Sequence, residues 1–516
     1  MSFGEKLSLL MSLQNTSNSQ LARVLAVDTS LVSRWRKGTR TPAKDGPHLK
    51  KLADYFASQA RKDYQKIALL EIMNLPADKY PKDDSALADL LYAWLSEVPL
   101  SESHLVNRFL NRLDLLQNPQ NPPQQALQTK TAVPASLPDS RFPAEVFYGI
   151  KGKQEAAVRF LTLAAQQQKP GVILLYSDEN IEWFTGDKTF LATLVQLFGE
   201  VIALGNRIKM VHNVSRDMAE MFAAIDFWMP FYMTGAVESY YCPRYREHYF
   251  RRTMFVAPQT AALTSAVLSG CEKFAANIFT TDPQWVASLT EEFEEYLAIC
   301  RPLIRILKSS SYAETPKLIT ELEEQPENYL TLSDTLSTLT MPNELWEQIL
   351  ERSGIDRRTR EELVSLHNKR RQYLLSNLQS HIYTEIAPLP EAEEIIGGQA
   401  RIDTTGIPGN PVLHYTAAEY RAHLQHLLQM LKEYPSFSFY PCSRNPLGKI
   451  RLAVKEEVGV IVVKKDVPST LFAFNQQNMT NAFYCYMEDF INGIPHKDRD
   501  RQQVIEKIEH LLRCLS

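Results

Sequence analysis

The stretch Ser19-Gln20-Leu21-Ala22-Arg23-Val24-Leu25-Ala26-Val27-Asp28-Thr29-Ser30-Leu31-Val32-Ser33-Arg34-Trp35-Arg36-Lys37-Gly38-Thr39-Arg40-Thr41-Pro42 encodes two short helices and the turn between them. Asn18-Ser19 supplies short polar side chains that accept from orphan backbone N–H groups, which predicts a helix through residues 20–25. Val27-Asp28-Thr29 interrupts it and caps the next helix, Ser30 to about Lys37. Gly38 stands where helices commonly end in a left-handed residue, and Pro42 allows a new start. Upstream, Phe3, Leu7, Leu10 and Leu13 fall near one face of a helix over 3–14. Downstream, Leu49, Leu52, Ala53 and Phe56 form a closing apolar stripe. The expected core is Leu21, Ala22, Leu25, Val27, Leu31, Val32 and Trp35, with Ala22 small where two helices cross. Thr29, Ser30, Ser33, Arg34 and Lys37 point outward.

Read in register, these residues resemble the Cro and lambda-repressor family of helix-turn-helix domains, the XRE class, over roughly residues 3–57. Gln20 opens the second helix with Leu21-Ala22 behind it. A short turn precedes a Ser/Thr-rich third helix, then come Trp35, a charged residue and Gly38, with Arg40 and Pro42 beyond. The resemblance implies that Thr29, Ser30, Ser33 and Arg34 face base edges. Small polar residues let a helix sit deep in the major groove, and Arg can reach a guanine edge with two hydrogen bonds. It assigns Gln20, Arg36, Lys37 and Arg40 mainly to phosphates, which fix position rather than sequence preference. Proteins of this family commonly bind palindromic sites as dimers, so the expected partners are double-stranded DNA and a second copy of the chain.

Charge distribution agrees. Residues 1–62 carry eleven Lys or Arg and four Asp or Glu, a net of +7, while the whole chain is −4. A compact basic segment on an acidic body suits a polyanion partner. The remainder is ordinary globular sequence: 44% hydrophobic, 22% charged, over 516 residues, which calls for several domains. No apolar run approaches the ~20 residues of a membrane helix, and the N-terminus lacks a basic-then-apolar secretion signal. The six Cys are scattered without a Cys-x-x-Cys pair, which argues against finger-type zinc and a disulfide framework. A cytoplasmic, bacterial-type protein with reduced thiols and no membrane or cofactor is expected.

The fold class read from the pattern is mainly α with α/β. A five-helix helix-turn-helix domain at 1–62 is followed by a helical segment at 63–116 and a flexible linker at 117–143, rich in Pro and Gln. A sensor-like α/β domain at 144–310 comes next, with a helix at 151–167, a strand at 171–176, a helix at 187–204 and a strand at 207–212 as a βαβ unit. Further strands are expected near 235–242 and 251–257, with a long helix over 283–307. A helical region at 311–390 precedes a Gly/Pro-rich loop at 391–411 and a small C-terminal α+β domain at 412–516. No internal repeat at a fixed period is visible.

The chemistry of the body is sparse. It holds no phosphate-binding Gly-rich loop, no Gly-x-Ser-x-Gly elbow and no His-Glu-x-x-His. The segment 171–213 with its later strands faintly resembles phospholipase-D-like sensor domains attached to similar regulators. That family's catalytic signature has His and Lys two apart with an Asp further on. His367-Asn368-Lys369 offers the first pair, but no Asp follows at the needed spacing. Glu419, His423 and His426 have helical metal-ligand spacing, yet Leu424, Leu427, Leu428 and Leu431 form the buried stripe there, which turns the polar set to solvent. Asp178, Glu179 and Glu182 follow the strand at 171–176, where α/β sheets bind ligands. They read as a solvated loop and helix cap, with a cationic or hydroxyl-bearing ligand as the alternative. The densest aromatic and Arg run includes Tyr241, Arg244, Arg246, Arg251 and Arg252, a candidate grip for a small anionic effector or a protein interface. The expectation is a non-enzymatic transcriptional regulator whose body senses a ligand or partner. A DNA-targeted enzyme or phage-defence effector, and an interaction scaffold, are the alternatives.

Overall fold

The computed structural model describes residues 3–14, 16–37, 40–42, 47–60, 63–73, 84–96, 102–115, 143–167, 169–179, 181–214, 218–243, 249–308, 314–405, 407, 411–442, 447–465 and 469–515. The expected linker at 117–143 lies almost wholly outside them. The chain forms two compact units, Met1–Ser101 and Glu102–Ser516.

The first unit is helical: α1 (Phe3–Leu13), α2 (Asn18–Leu25), α3 (Thr29–Arg36), α4 (Pro47–Gln59), α5 (Asp63–Ile72) and α6 (Asp84–Ser96). Ser17, one residue earlier than the sequence suggested, caps α2. Its hydroxyl accepts from the Gln20 N–H, and the Gln20 side chain accepts from the Ser17 N–H at 2.8 Å, a reciprocal capping box. Leu21, Ala22, Leu25, Val32, Trp35, Leu49, Leu52 and Phe56 are buried as expected, with Val27 and Leu31 half-buried. The same core includes Leu69, Leu70, Leu87, Leu91 and Leu95, so α5 and α6 pack with the helix-turn-helix. Two side-chain bonds tie helix ends together. Lys6 Nζ donates to the Trp94 carbonyl at 2.8 Å, in the last turn of α6, where a cation meets the negative end of the helix. Gln14 Nε2 donates to the Phe56 carbonyl at 2.8 Å.

The second unit opens with α7 (Glu102–Leu115), whose Phe109 packs on Phe222, Phe474 and Phe483. The segment 63–116 is therefore divided between the two units. Then follow β1 (Ala144–Tyr148), α8 (Gly149–Ala165), β2 (Val172–Ser177), α9 (Glu182–Thr185), α10 (Lys188–Ala203), β3 (Arg207–His212), α11 (Met218–Tyr232) and β4 (Val237–Tyr241). β5 (Phe250–Ala257), β6 (Ala261–Leu268), β7 (Ala276–Thr280) and α12 (Pro283–Ala298) complete a first half. The second half runs β8 (Arg301–Lys308), α13 (Thr315–Glu323), β9 (Tyr329–Leu332), α14 (Asn343–Arg352), α15 (Arg357–Asn377), β10 (Tyr383–Pro388), α16 (Ala392–Ile396), α17 (Ala417–Glu433) and β11 (Phe437–Cys442). It ends with β12 (Ile450–Lys455), β13 (Gly459–Lys464), β14 (Thr470–Phe474), α18 (Gln477–Gly493), α19 (His496–Arg499) and α20 (Arg501–Cys514).

The described strands form one 14-stranded sheet in the order β1-β7-β6-β5-β2-β3-β4-β8-β14-β13-β12-β9-β10-β11. The same seven-strand order is written twice. In the first half β2, β3 and β4 are parallel, β5 pairs antiparallel with β2, and β6, β7 and β1 continue antiparallel. In the second, β9, β10 and β11 are parallel, and β12, β13, β14 and β8 repeat the antiparallel series. The halves join where β4 meets β8 antiparallel. β2 and β9 are the switch points, each with a parallel neighbour on one side and an antiparallel one on the other. The same dipeptide stands at both strand ends: Ser177-Asp178 at the end of β2 and Ser333-Asp334 just beyond β9. The duplication is topological, which is why no repeat period shows in the sequence.

Several expectations are corrected. The helix over 283–307 ends at Ala298 and the chain continues as β8; Pro302 cannot donate a helical hydrogen bond. The helical region at 311–390 contains β9 and β10. Their central strands are buried on both faces, so they lack the alternation that marks a half-exposed strand. Residues 412–516 are not a separate small domain, since β11 to β14 hydrogen-bond into the common sheet. β1, β6 and β7 had no counterpart in the sequence reading.

Candidate nucleic-acid interface and strand-end clefts

In the first unit, α2 ends on Ala26 at φ 54 and ψ 46. The Val27 N–H reaches the Ala22 carbonyl at 3.0 Å, the long bond of a Schellman closure. A left-handed alanine costs about 1 kcal/mol, and the turn is held by Asp28 next to it. The Ser30 N–H donates to Asp28 Oδ1 at 2.7 Å, and the hydrogen bonds from Ser30 keep that carboxyl below its usual range. This aims α3 so that Val32 and Trp35 are buried while Thr29, Ser30 and Arg34 are exposed and Ser33 is half-buried. Lys37 and Arg40 are also exposed, and the Arg40 N–H bonds the Arg34 carbonyl at 3.4 Å. Gln20 and Arg36 carry structural roles. Gln20 closes the capping box, and Arg36 donates to Asn18 Oδ1 at 2.9 Å and Ser8 Oγ at 3.4 Å, tying α3 to α1 and α2.

The Arg/Tyr cluster does not assemble in the described residues. Arg244 and Arg246 lie outside them. Tyr241 ends β4 and Arg251 and Arg252 open β5, but β3 and β2 intervene in the sheet, a separation of roughly 14 Å at three strand spacings. Tyr241 is buried, with its hydroxyl toward the Asn475 carbonyl at 3.5 Å. Arg252 grips Glu292 of α12, with one contact at 2.8 Å. Arg251 donates to the Asp178 carbonyl at 3.0 Å and to Ser269 Oγ at 3.3 Å. The neighbours of these two arginines are protein acceptors.

At the carboxyl end of β2 the sequence pointed to Asp178 and Glu179 but not to the buried polar cluster around them. Ser177 on β2, Thr253 on β5, Ser265 on β6 and Asn277 on β7 are successive cross-strand partners, a polar row through an apolar sheet. Above it Lys153 of α8 pairs with Glu179 at 2.5 Å, both about 2% exposed. Thr253 and Ser265 also donate to Glu179 Oε1, at 2.9 and 3.2 Å. Burial pulls the Lys153 ammonium below the usual lysine range, and the Glu179 carboxylate opposes that. Gly149, at φ +66, lets α8 start tightly here; a Cβ would sit 2.8 Å from the Lys273 carbonyl oxygen. Asp178 and Glu179 are thus buried, not a solvated loop. Asp178 accepts from the Arg252 backbone N–H and, at 3.1 Å, from the Tyr176 hydroxyl. One sequence signal was there: Thr253, Ser265 and Asn277 are small polar residues spaced twelve apart, each followed by apolar residues.

Beside this row lies a cavity of about 80 Å³. Its polar wall comes from the ends of β2 and β3 and the residues just beyond: Tyr176, Ser177, Glu179, His212 and Asn213. Its other walls are largely aromatic and come from helices and β5, with Trp183, Phe184, Phe198, Phe227, Trp228 and Phe255.

The corresponding end of the second half is built otherwise. Glu385 of β10 is buried, accepting from the Ser337 N–H at 2.7 Å and from Thr340 Oγ1 at 3.3 Å, and burial pushes its carboxyl up to about 7. His423 is fully buried, between Thr340 Oγ1 at 3.1 Å and the Tyr415 hydroxyl at 2.9 Å, and burial holds its pKa down to about 3. That corrects the solvent-facing placement expected of it. Glu419 caps α17 and pairs with Arg352, and His426 faces the Thr340 carbonyl and Arg371, so the three do not converge on a cation. No metal-holding cluster occurs among the described residues. His367 of α15 packs against Trp346 and faces the Met341 carbonyl. An open cleft of about 1040 Å³ lies at the ends of β9, β10 and β11, lined by Asp334, Arg401, Cys442 and Asp489 among others.

No family model and no curated protein matches the chain. Among solved structures it is similar to TrmBL2, an archaeal chromatin protein with a novel mode of DNA binding, at 14% identity and a TM-score of 0.22, over 55% of this chain and 93% of that one. It is similar to polyphosphate kinase from Porphyromonas gingivalis at 11% identity and a TM-score of 0.24, over 78% of this chain and 56% of the kinase. Yeast tyrosyl-DNA phosphodiesterase gives 10% identity and a TM-score of 0.16, over 65% and 91%. At these scores the likenesses carry no argument about this chain. No helix among the described residues is long and apolar enough to cross a membrane.

Proposed function

We propose that the chain is a sequence-specific regulator that binds duplex DNA through its first unit as a homodimer, while the duplicated α/β body senses a ligand. The observation that carries the reading is α3. Its apolar face is locked into the core by Val32 and Trp35, and its outer face presents Thr29, Ser30 and Arg34, with Lys37 and Arg40 beyond. That outer face has the shape and donor set a major groove accepts. Ser33, half-buried, sits at its margin. Gln20 and Arg36 position the helices in this reading and touch phosphate secondarily. An effector acting on the body would change DNA affinity only through a difference in its own affinity for the two states.

The test is a binding titration of the full chain with a selected duplex across a salt series. Arg34→Ala is expected to weaken the preferred site by about 1–3 kcal/mol and relax preference at one base position. Lys37→Ala is expected to weaken all sequences alike and reduce the salt slope by about one. Unchanged binding by both variants would remove α3 as the reader.

A further inference from the structure

We infer that β1 is the self-association edge of the body, where a second copy of the chain pairs antiparallel across a two-fold axis between the two Val146 residues. β1 and β11 are the two edges of the sheet among the described residues. An edge strand offers a row of unpaired N–H and C=O groups, and proteins commonly guard it with Lys, Pro or a covering element. β11 is guarded. Pro441 lacks an N–H, Arg501 donates to the Phe437 carbonyl at 2.8 Å, and α19 and α20 pack against the strand. β1 is not guarded in this way. Its sequence, Ala-Glu-Val-Phe-Tyr, holds neither Lys nor Pro, and its one charge, Glu145, pairs with Arg159. Val146 is 46% exposed and Tyr148 74%.

The register follows from which backbone groups face outward. The Gly149 N–H donates to the Ala275 carbonyl and the Thr281 N–H to the Pro143 carbonyl, each at 2.8 Å. Bonded positions alternate in an antiparallel pair, so Glu145 and Phe147 bond β7, whereas Ala144, Val146 and Tyr148 direct their N–H and C=O away from it. A two-fold axis at Val146 sets this residue against its own copy and Ala144 against Tyr148. Each of the three then donates once and accepts once. A slip by one residue sets outward groups against inward ones, and a slip by two leaves one of the three unmatched. The side chains agree with that register. Ala144, Val146 and Tyr148 share one face of the strand, so the largest of them lies beside the smallest and the two valines meet at the axis. Such self-matching is what an isologous interface requires, and it selects a second copy over an unrelated segment. The homodimer proposed above names no surface; the choice of partner rests on that reading, and β1 supplies the place.

Sedimentation velocity of the full chain without DNA, across a concentration series, tests the inference. A monomer–dimer equilibrium with a Kd on the order of 10 µM is expected, as suits an interface below the standard size. Val146→Lys sets like charges at the axis and should weaken the dimer at least about tenfold. Val146→Pro removes an outward N–H without touching a bond between β1 and β7, and should weaken it as much. Val412→Lys, at a residue 67% exposed in the second half, should leave the dimer unchanged. Circular dichroism checks that each variant is folded. Amide exchange at Val146 and Tyr148 should slow as the concentration rises. A chain that stays monomeric throughout, or a dimer indifferent to both Val146 variants, would overturn the inference. A dimer indifferent to them leaves the homodimer reading standing on another surface, and because DNA is absent neither outcome bears on α3.

Discussion

The two halves of the body share strand order and direction but use the end of the switch strand in opposite ways. After β2, Asp178 and Glu179 are buried under α8, and an ion pair closes a small aromatic cavity. After β9, Asp334 is partly exposed, paired with Lys465, and borders a wide polar cleft. The second half has largely buried ion pairs of its own. Arg451, the register counterpart of Thr253, pairs with Asp403, and Arg370 grips Glu323 with contacts at 2.6 and 2.8 Å. Topology fixes where a crevice forms, whereas side-chain volume and charge decide whether it becomes a pocket or a packed core. Where the first half has Ser265 and Asn277, the second has Val463 and Leu471 at the matching register.

The largest expected effect breaks the first half's ion pair. Lys153→Met should destabilise the full chain by about 3–5 kcal/mol, since it strands the Glu179 carboxylate in the interior. Adding Glu179→Gln should recover much of that loss. Denaturant unfolding checks both, and a double variant no better than the single would mean that packing dominates there.

The second prediction concerns the other half. Glu385 is raised to about 7, and His367 and His423 are each lowered to about 3. For the histidines the unfolded chain takes up protons from pH 6.5 downward while the folded chain does not, so stability falls with falling pH by about 1.4 kcal/mol per unit for each. For Glu385 the sign is opposite. Between about 4.5 and 7 the folded state keeps a proton that the unfolded state loses, so stability declines as pH rises through that window. From pH 6.5 to 4.5 one histidine is thus offset, and below 4.5 both act unopposed. Glu385→Gln should steepen the loss between pH 6.5 and 4.5, measured as the unfolding midpoint against pH. A profile indifferent to that substitution would show that Glu385 titrates normally.

The smallest effect separates the matched aspartates. Asp178→Asn should cost about 1–3 kcal/mol, because a buried acceptor of a backbone N–H is weakened. Asp334→Asn should cost about 1 kcal/mol or less, the range of a partly exposed pair. Equal costs would erase the distinction between the two strand ends.

Much of the first unit was legible. The turn around Asp28, the buried Val32 and Trp35 and the exposed Thr29, Ser30 and Arg34 follow from neighbours within a few residues, where capping chemistry and helical spacing speak directly. The cap lies one residue earlier, at Ser17, where the reciprocal bonds with Gln20 place it. The parallel pair β2 and β3 was legible too, since β2 is an apolar run and a helix separates the two strands. β9 and β10 were not, because strands buried on both faces carry no alternation. Of the polar cluster in the body only Asp178 and Glu179, at the end of β2, were legible, and they read as solvated rather than buried. Arg251 and Arg252, adjacent in sequence to a tyrosine-rich run, are separated from it by two strands. Lys153 and Glu179 meet across 26 residues of chain and Thr253 joins them across 74 more.

By itself, then, the sequence determined the helix-turn-helix, the basic character of the first 62 residues and the presence of an α/β body. The tertiary structure alone decided that the body is one seven-strand order used twice, that Glu179 and His423 are buried, and that Ser177, Thr253, Ser265 and Asn277 form one row. The reason is range. Helix caps and periodicity are local and are written within a turn or two of chain. Strand order and register join residues tens to hundreds of positions apart, and a side chain's burial or charge state follows from those distant partners.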